Sequence, residues 1–415
     1  MTRPGRRPKL WDMSDTADVV VVGGGVVGVA IADALAARGA RVTLCEQAAL
    51  ASGASGRSSA LVRMHYTNEW DARLAWASFP LFRDWSELVG GPPVLTRTGF
   101  LNLVAPSFAA HLRRNVEMLR AIGVDTVALS PADVRALQPD LALDDIGAAA
   151  YEPESGYASP VDVVAGLGRR ARARGARIRE WTPVTRIVAT PSRVVGVETS
   201  SGRIDAAAVV VAAGAWASRL CETVGLSLPA RVKAIDTVVV GRPPDLGPPH
   251  LTVIDNVQGT YFRPESGTLT LVGVPCRVWD VSPDALAGGA GLPPGAADEG
   301  ARILVHRMPG MERATLVRGY RAFDGYSADR HAILDRVDGL HGLYLATAFS
   351  GSGFKIAPAV GTCLAELILD GEAKTVDIRP FGLRRFAEGR PLEGPYPYAP
   401  RADHGAPAGV AALEW

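Results

Sequence analysis

The sequence predicts a two-domain α/β protein: a doubly wound, Rossmann-like domain that binds a dinucleotide, joined to an α+β domain on a mainly antiparallel sheet. Three observations predict it. Residues 18–46 read as strand, glycine turn, helix, strand, one βαβ unit that opens a parallel sheet. Residues 231–280 carry short alternating segments, among them Tyr261–Arg263 and Leu269–Val274, the pattern of antiparallel strands. The chain has 415 residues, more than a single hydrophobic core usually organises.

Taken in order, Val19–Val22 is an unbroken β-branched run, as in a strand buried on both faces. The glycine turn follows with the spacing Gly23-x-Gly25-x-x-Gly28, ahead of a helix that stops at Gly39. Gly23 permits the tight turn, Gly25 lets the backbone approach a pyrophosphate, and Gly28 allows close helix packing. The helix N-terminus, with Val26 and Val27 in its first turn, offers N–H groups to phosphate. Glu46 ends the second strand (41–46), placed to accept from an adenosine ribose hydroxyl, with Gln47 beside it. After a mixed region, residues 156–175 read as a helix with Ser159 as N-cap and Pro160 first. Strands are expected at Val184–Ile187, Val194–Thr199 and Asp205–Ala213, the last running into Gly214-Ala215-Trp216. Residues 282–300 are rich in glycine and proline and read as a mobile loop. A strand at 342–347 leads into AFSGSGFKIAP (348–358), a glycine turn that opens a helix. It lacks the spacing of a triphosphate-binding loop.

Composition excludes several classes. A formal charge of +1 gives no electrostatic reason to bind nucleic acid or an anionic membrane. The longest apolar stretch, residues 19–32, falls short of the ~20 residues of a membrane span. Residues 1–15 are basic without an apolar run, which predicts a disordered arm rather than a secretory signal, and so a cytoplasmic protein. Cys45, Cys221, Cys276 and Cys363 are scattered and read as reduced thiols. His65, His331 and His341 are isolated and predict no metal site. Of 44 basic residues only Lys9, Lys233, Lys355 and Lys374 are lysines. A lysine kept inside a glycine turn points to a site that needs a compact ammonium.

Residues 51–63, ASGASGRSSALVR, are dense in hydroxyls and glycines and suit a polyol and a flavin ring more than a nicotinamide. Together with VVVVGGGVVGVAIADALAARG, GYASPVDVVAGLGRRARARGARI, VVVAAGAW, YFRPESGTLTLVG and AFSGSGFKIAPAVGTCLAELILDG, they make a sequence that resembles the FAD-dependent amino-acid oxidase superfamily of D-amino-acid oxidase type. The resemblance is to the branch of sarcosine oxidase, glycine oxidase, dimethylglycine dehydrogenase and D-amino-acid dehydrogenases, over residues 18 to about 385.

The resemblance implies a glutathione-reductase-type FAD domain from segments 16–93, 157–229 and 325–386, a substrate domain from 94–156 and 230–324, and a surface tail at 387–415. It implies cofactor contacts from Ser55, Gly56, Arg57, Ser58 and Ser59, from Val184, Ala213, Gly214 and Trp216, and from Gly351, Ser352, Gly353, Phe354 and Lys355. Arg63 and Lys355 match the pair that clamps a substrate carboxylate, Tyr261 matches a substrate-domain tyrosine, and His331 is a minor candidate. The segment 318–331 lacks the cysteine of covalent members, and SGRSS lacks their histidine, so the FAD is expected to be non-covalent. The lysine that activates O2 in sarcosine oxidase would fall at Leu271, which favours a slow oxidase or a dehydrogenase. The expected reaction is oxidation of the C–N bond of a small carboxylate-bearing amine by hydride transfer to flavin N5, with O2 or another electron acceptor. The alternatives are a 2-hydroxy acid dehydrogenase using His65 or His331 as base, and a flavoprotein subunit passing electrons to a partner protein. No oligomeric state is implied.

Overall fold

The computed structural model describes residues 15–247 and 249–398. Strand Asp15–Val22 lies at the centre of an eight-stranded sheet, parallel to Val42–Cys45 on one side and to Gly202–Val211 on the other. Arg177–Arg179 extends the parallel set beyond Val42–Cys45, and Leu343–Thr347 runs parallel to Gly202–Val211. The valine run behaves as its composition requires. Val19 and Val21 face one hydrophobic cluster while Val20 and Val22 face another, so alternate side chains fill both faces.

Helices Val26–Ala37, Pro160–Ala173 and Gly353–Asp370 cover one of those faces, and their approach is close. A Cβ at Gly361 would stand 2.6 Å from the Ala30 carbonyl oxygen. Gly361→Val must therefore separate the first and last of these helices. The expected cost is about 1–3 kcal/mol, read as a lower urea midpoint at unchanged m-value.

The second sheet also has eight strands, in the order Thr315–Ser327, Ala230–Gly241, Leu269–Val274, Thr260–Pro264, Thr252–Asp255, Phe100–Val104, Ala148–Glu152, Val127–Leu129. Every neighbouring pair is antiparallel except Thr252–Asp255 with Phe100–Val104. Its core holds Val238, Phe262, Val272, Leu304 and Met308. A small third sheet joins Leu61–Val62 and Leu95–Arg97 to Gly156–Ala158.

Three expectations need correction. Residues 1–14 lie outside the described residues, but Asp15, assigned to the arm, begins the central strand. The stretch 282–300 is not an open loop: it contains helix Pro283–Ala287 and the start of helix Ala296–Arg307, and Ala290 bridges to Arg321. Ser282 caps the first of these helices through Ala285 N, a local device that the glycine count obscured.

The tail differs as well. Residues 399–415 are outside the described set, but 389–398 pack back onto the protein. Leu392 N donates to Asp329, Asn115 Nδ2 donates to the Tyr396 carbonyl and the Tyr398 hydroxyl, and Tyr398 is buried. The buried Tyr398 ring supplies apolar area that keeps a proline-rich segment docked, while Tyr396 stays exposed with its ring tilted against His111.

Candidate active site

The first glycine turn is built too tightly for side chains. A Cβ at Gly28 would stand 2.0 Å from the Gly23 carbonyl oxygen, so Gly28 serves helix packing and does not line the cavity. Gly23 has φ +115°, where a side chain is strained. Glu46 ties the turn to the serine–glycine segment: Oε2 accepts from Gly24 N at 2.7 Å, and Oε1 accepts from Ala48 N at 2.9 Å and Ser52 Oγ at 3.2 Å. Ser55 Oγ accepts from Val26 N at 2.9 Å, at the mouth of the helix.

These groups open onto a cavity lined by Gly23, Gly25, Val27, Glu46, Gln47, Ser55, Val184, Ala213, Gly214 and Trp216. The segment after Ser282 is fastened to residues that line the two cavities. Asp284 accepts from Trp216 Nε1 at 2.6 Å and from Arg219 Nη1 at 2.7 Å, and the Ala287 carbonyl accepts from Arg57 Nη2 at 2.5 Å.

A second cavity continues from the first, sharing Ala54, Ser55 and Asp324 with it. Its wall takes Val26, Ser55, Arg57, Ser58, Ser59, Arg63, Tyr261, Gly351, Gly353, Phe354 and Lys355 from the residues the sequence singled out. Arg63 and Lys355, 292 positions apart, therefore meet in one wall. Arg63 donates through Nη1 to the His65 carbonyl, and its guanidinium lies 4.4 Å from the Tyr66 ring centroid. Its Nε is buried with no partner.

Lys355 is 6% exposed; its Nζ makes a long bond of 3.3 Å to the Gly351 carbonyl and lies 5.8 Å from the Tyr66 centroid. Burial holds this ammonium well below its usual pKa, and Arg63 pushes the same way, while Asp71 and Asp324 oppose them. Two under-satisfied cations on one wall attract an anion, and a carboxylate matches both in size and in acceptor geometry. Burial pushes the Tyr261 phenol up to about 12, so it stays protonated at neutral pH.

Besides Gly28, three of the expected site residues line neither cavity. His331 turns to the helix Glu69–Arg83 instead, with Nδ1 2.6 Å from Asp71 Oδ2. Burial lowers its pKa, but the Asp71 carboxylate outweighs that and raises it. Gly56 packs under Ala51, where a Cβ would stand 2.4 Å from the carbonyl oxygen, and Ser352 Oγ donates to the Phe349 carbonyl at 2.6 Å. His65 also lies behind the wall, 2.7 Å from the Tyr398 hydroxyl, and burial pushes it down to about 3.

The structure adds wall residues that sequence reasoning missed: Lys233, Asp236, Cys276 and Asp324. Lys233 carried a signal, being one of the four lysines, and it pairs across the strands with Asp324. Cys276 stood in a segment with no recognised motif; its Sγ is 3.8 Å from Arg321 Nη2, and Arg321 clamps Asp236 at 2.7 and 2.8 Å. Among the described residues no three His, Cys, Asp or Glu side chains gather as a metal site. No helix among them is long and apolar enough to cross a membrane.

A side-chain-free dinucleotide turn that opens into a cavity ending at the buried Lys355 and the half-buried Arg63 defines a cofactor-dependent redox enzyme. Residues 18–367 match the family described as FAD dependent oxidoreductase, and the chain belongs to that family. The enzyme is thus an oxidoreductase and its cofactor is FAD. The residues present fit that group, since the turn has no room for a Cβ at Gly23 or Gly28 and the cavity it opens onto adjoins the second through Ala54, Ser55 and Asp324.

The chain is 30% identical over 385 residues to glycine oxidase of Geobacillus kaustophilus, covering 90% of this chain and 98% of that one. It is 28% identical over 391 residues to human mitochondrial sarcosine dehydrogenase, covering 90% of this chain and 42% of that protein. In three dimensions it is similar to L-proline dehydrogenase from P. horikoshii, with a TM-score of 0.83 and 26% identity over 91% of this chain and 99% of that one.

Proposed function

We propose that this enzyme oxidises the C–N bond of an amino acid or N-alkyl amino acid. The observation that carries the reading is the meeting of Arg63 and Lys355 in one cavity wall, each with donor capacity to spare. The relatives support it, because glycine, sarcosine and proline each join a carboxylate to an amine one carbon away. FAD, when bound, supplies the hydride acceptor.

The chain's own residues do the rest. Gly23, Gly25 and the Val26–Val27 turn hold the pyrophosphate, Glu46 and Val184 the adenosine end, and the Gly351–Lys355 turn the ring system. Arg63 and Lys355 fix the substrate carboxylate, which sets where the adjacent carbon lies. Leu61, Ile254 and Phe354 add apolar surface to the wall that limits water at the reacting carbon. The imine leaves and hydrolyses in water.

The two histidines that a 2-hydroxy acid reading would use as base, His65 and His331, do not line the cavity, and the bleaching panel below separates the two substrate classes. Leu271 is buried in its strand, but Lys233 places a different cation in the wall. The aerobic arm of the experiment below tests whether oxygen accepts the electrons. The FAD is held non-covalently in this reading, so protein precipitated with acid releases its yellow colour.

The decisive experiment is anaerobic bleaching with D-, L- and N-methyl amino acids and with 2-hydroxy acids. At least one amino acid should bleach the flavin while hydroxy acids do not. Bleaching by hydroxy acids alone would overturn the reading, and repetition in air identifies the electron acceptor.

A further inference from the structure

The charges of the cavity wall are unequal in what they have left to give. Arg57 is occupied by the carbonyls of Ser52, Gly53 and Ala287. Asp236 is clamped by Arg321. Asp324 is held differently: Oδ1 accepts from Gly325 N at 2.8 Å and Oδ2 from Gly351 N at 2.9 Å, both neutral backbone donors. Each oxygen retains a second lone pair, and the side chain faces the same cavity as Arg63 and Lys355. Gly351 links the two signs of charge, since its carbonyl accepts from Lys355 Nζ while its N–H donates to Asp324.

We infer that Asp324 receives the amine of the substrate: it binds the ammonium of a zwitterionic amino acid and accepts one of its protons. Two cations for a carboxylate and one acid for an ammonium complement a zwitterion, the form in which amino acids exist near neutral pH. An ammonium has no lone pair to drive hydride loss from the neighbouring carbon. Proton transfer breaks one N–H bond of the substrate, forms one O–H bond on Asp324, and leaves the neutral amine in place. Burial raises the Asp324 pKa to about 6, against the pull of its two backbone donors and Lys355, which suits a group that must take a proton and later lose it. The charged groups sharing its wall are Lys355 from the 353–370 helix, Lys233 across the strand pair, Arg57 and Arg63 from the serine–glycine segment and its continuation, and Asp236, itself clamped by Arg321. The inference rests on the proposed amino-acid reading.

Asp324→Asn on the FAD-loaded enzyme tests it. For an amino acid that bleaches the wild type, kcat/KM at pH 7 should fall by roughly 100-fold or more. The wild-type acid limb near pH 6 should vanish. The variant's rate should instead keep rising with pH towards the ionisation of the free amine. Propionate, a carboxylate with no amine, should bind both proteins within about twofold, read as a shift of the flavin spectrum. An unchanged pH profile in the variant overturns the inference, as does equal loss of propionate binding. Loss of FAD affinity with an unchanged profile overturns it too and makes Asp324 a cofactor contact.

If the variant does not hold FAD, the wild type still decides. An acid limb near pH 6 for the amino acid but not for propionate binding supports the role, and a profile set by the amine alone refutes it. A wild type bleached by no amino acid sinks the parent reading first, so the two failures are distinguishable.

Discussion

Lys355→Met raises KM for the amino-acid substrate by about 30- to 1,000-fold while FAD content and fold are retained. Removing one partner of a buried, hydrogen-bonded charge pair costs about 2–4 kcal/mol, and every ~1.4 kcal/mol is a factor of ten. The fold does not share that loss. The folded pKa of Lys355 is depressed, so below the ordinary lysine value the unfolded chain binds this proton more readily than the native one. Native stability therefore declines as pH falls from the unfolded value towards the folded one, and methionine removes that penalty. The apo variant should melt no lower than wild type at neutral pH. Propionate carries the carboxylate alone, so titration calorimetry should show its affinity for the variant falling by about the same factor as the substrate's. A variant with wild-type KM would remove Lys355 from the carboxylate clamp.

Gly28→Ala yields a colourless protein. The added Cβ would overlap the Gly23 carbonyl oxygen at 2.0 Å, and the backbone of a turn cannot yield as a flexible side chain can. Either the helix Val26–Ala37 lifts from the sheet or the turn opens, and both displace Gly25, the N-cap, and Ser55, which bonds the first helical N–H. Absorbance near 450 nm after purification, referred to protein concentration, checks this. A yellow variant with ordinary FAD content would show that the turn tolerates the displacement.

The parts of the molecule that repeat a local rule were legible in the sequence. A buried parallel strand, a glycine turn and an amphipathic helix each follow from neighbours a few residues apart, so residues 18–46 predict their own structure. Arg63 and Lys355 were legible through the motifs beside them. Asp324 and Cys276 were not, because their role arises only when Thr315–Ser327 and Leu269–Val274 are laid against the serine–glycine segment. No periodicity in one strand reports which residue of another it will face. His331 failed for a related reason. It lies seven residues beyond Asp324, past the end of the strand at Ser327, where its imidazole meets Asp71 instead. The tail failed on composition: proline suggested a free segment, while the deciding contacts were Tyr398 with His65 and Asn115, both more than 280 residues away.

The strand Thr315–Ser327 has a mechanical consequence. It pairs with Ala230–Gly241 along its whole length, and its last residues are pinned to the turn before the final long helix. Ser350 N donates to the Gly325 carbonyl at 3.0 Å, Ser327 N to Ser350 Oγ at 3.2 Å, and Tyr326 bridges Phe349. One continuous strand thus acts as a tie-rod between the two large sheets. A clamshell hinge between them would have to tear this rod from its anchorage. The segment 282–290 is tied far more lightly, through Asp284 to Trp216 and Arg219, the Ala287 carbonyl to Arg57, and the Ala290 carbonyl to Arg321 N.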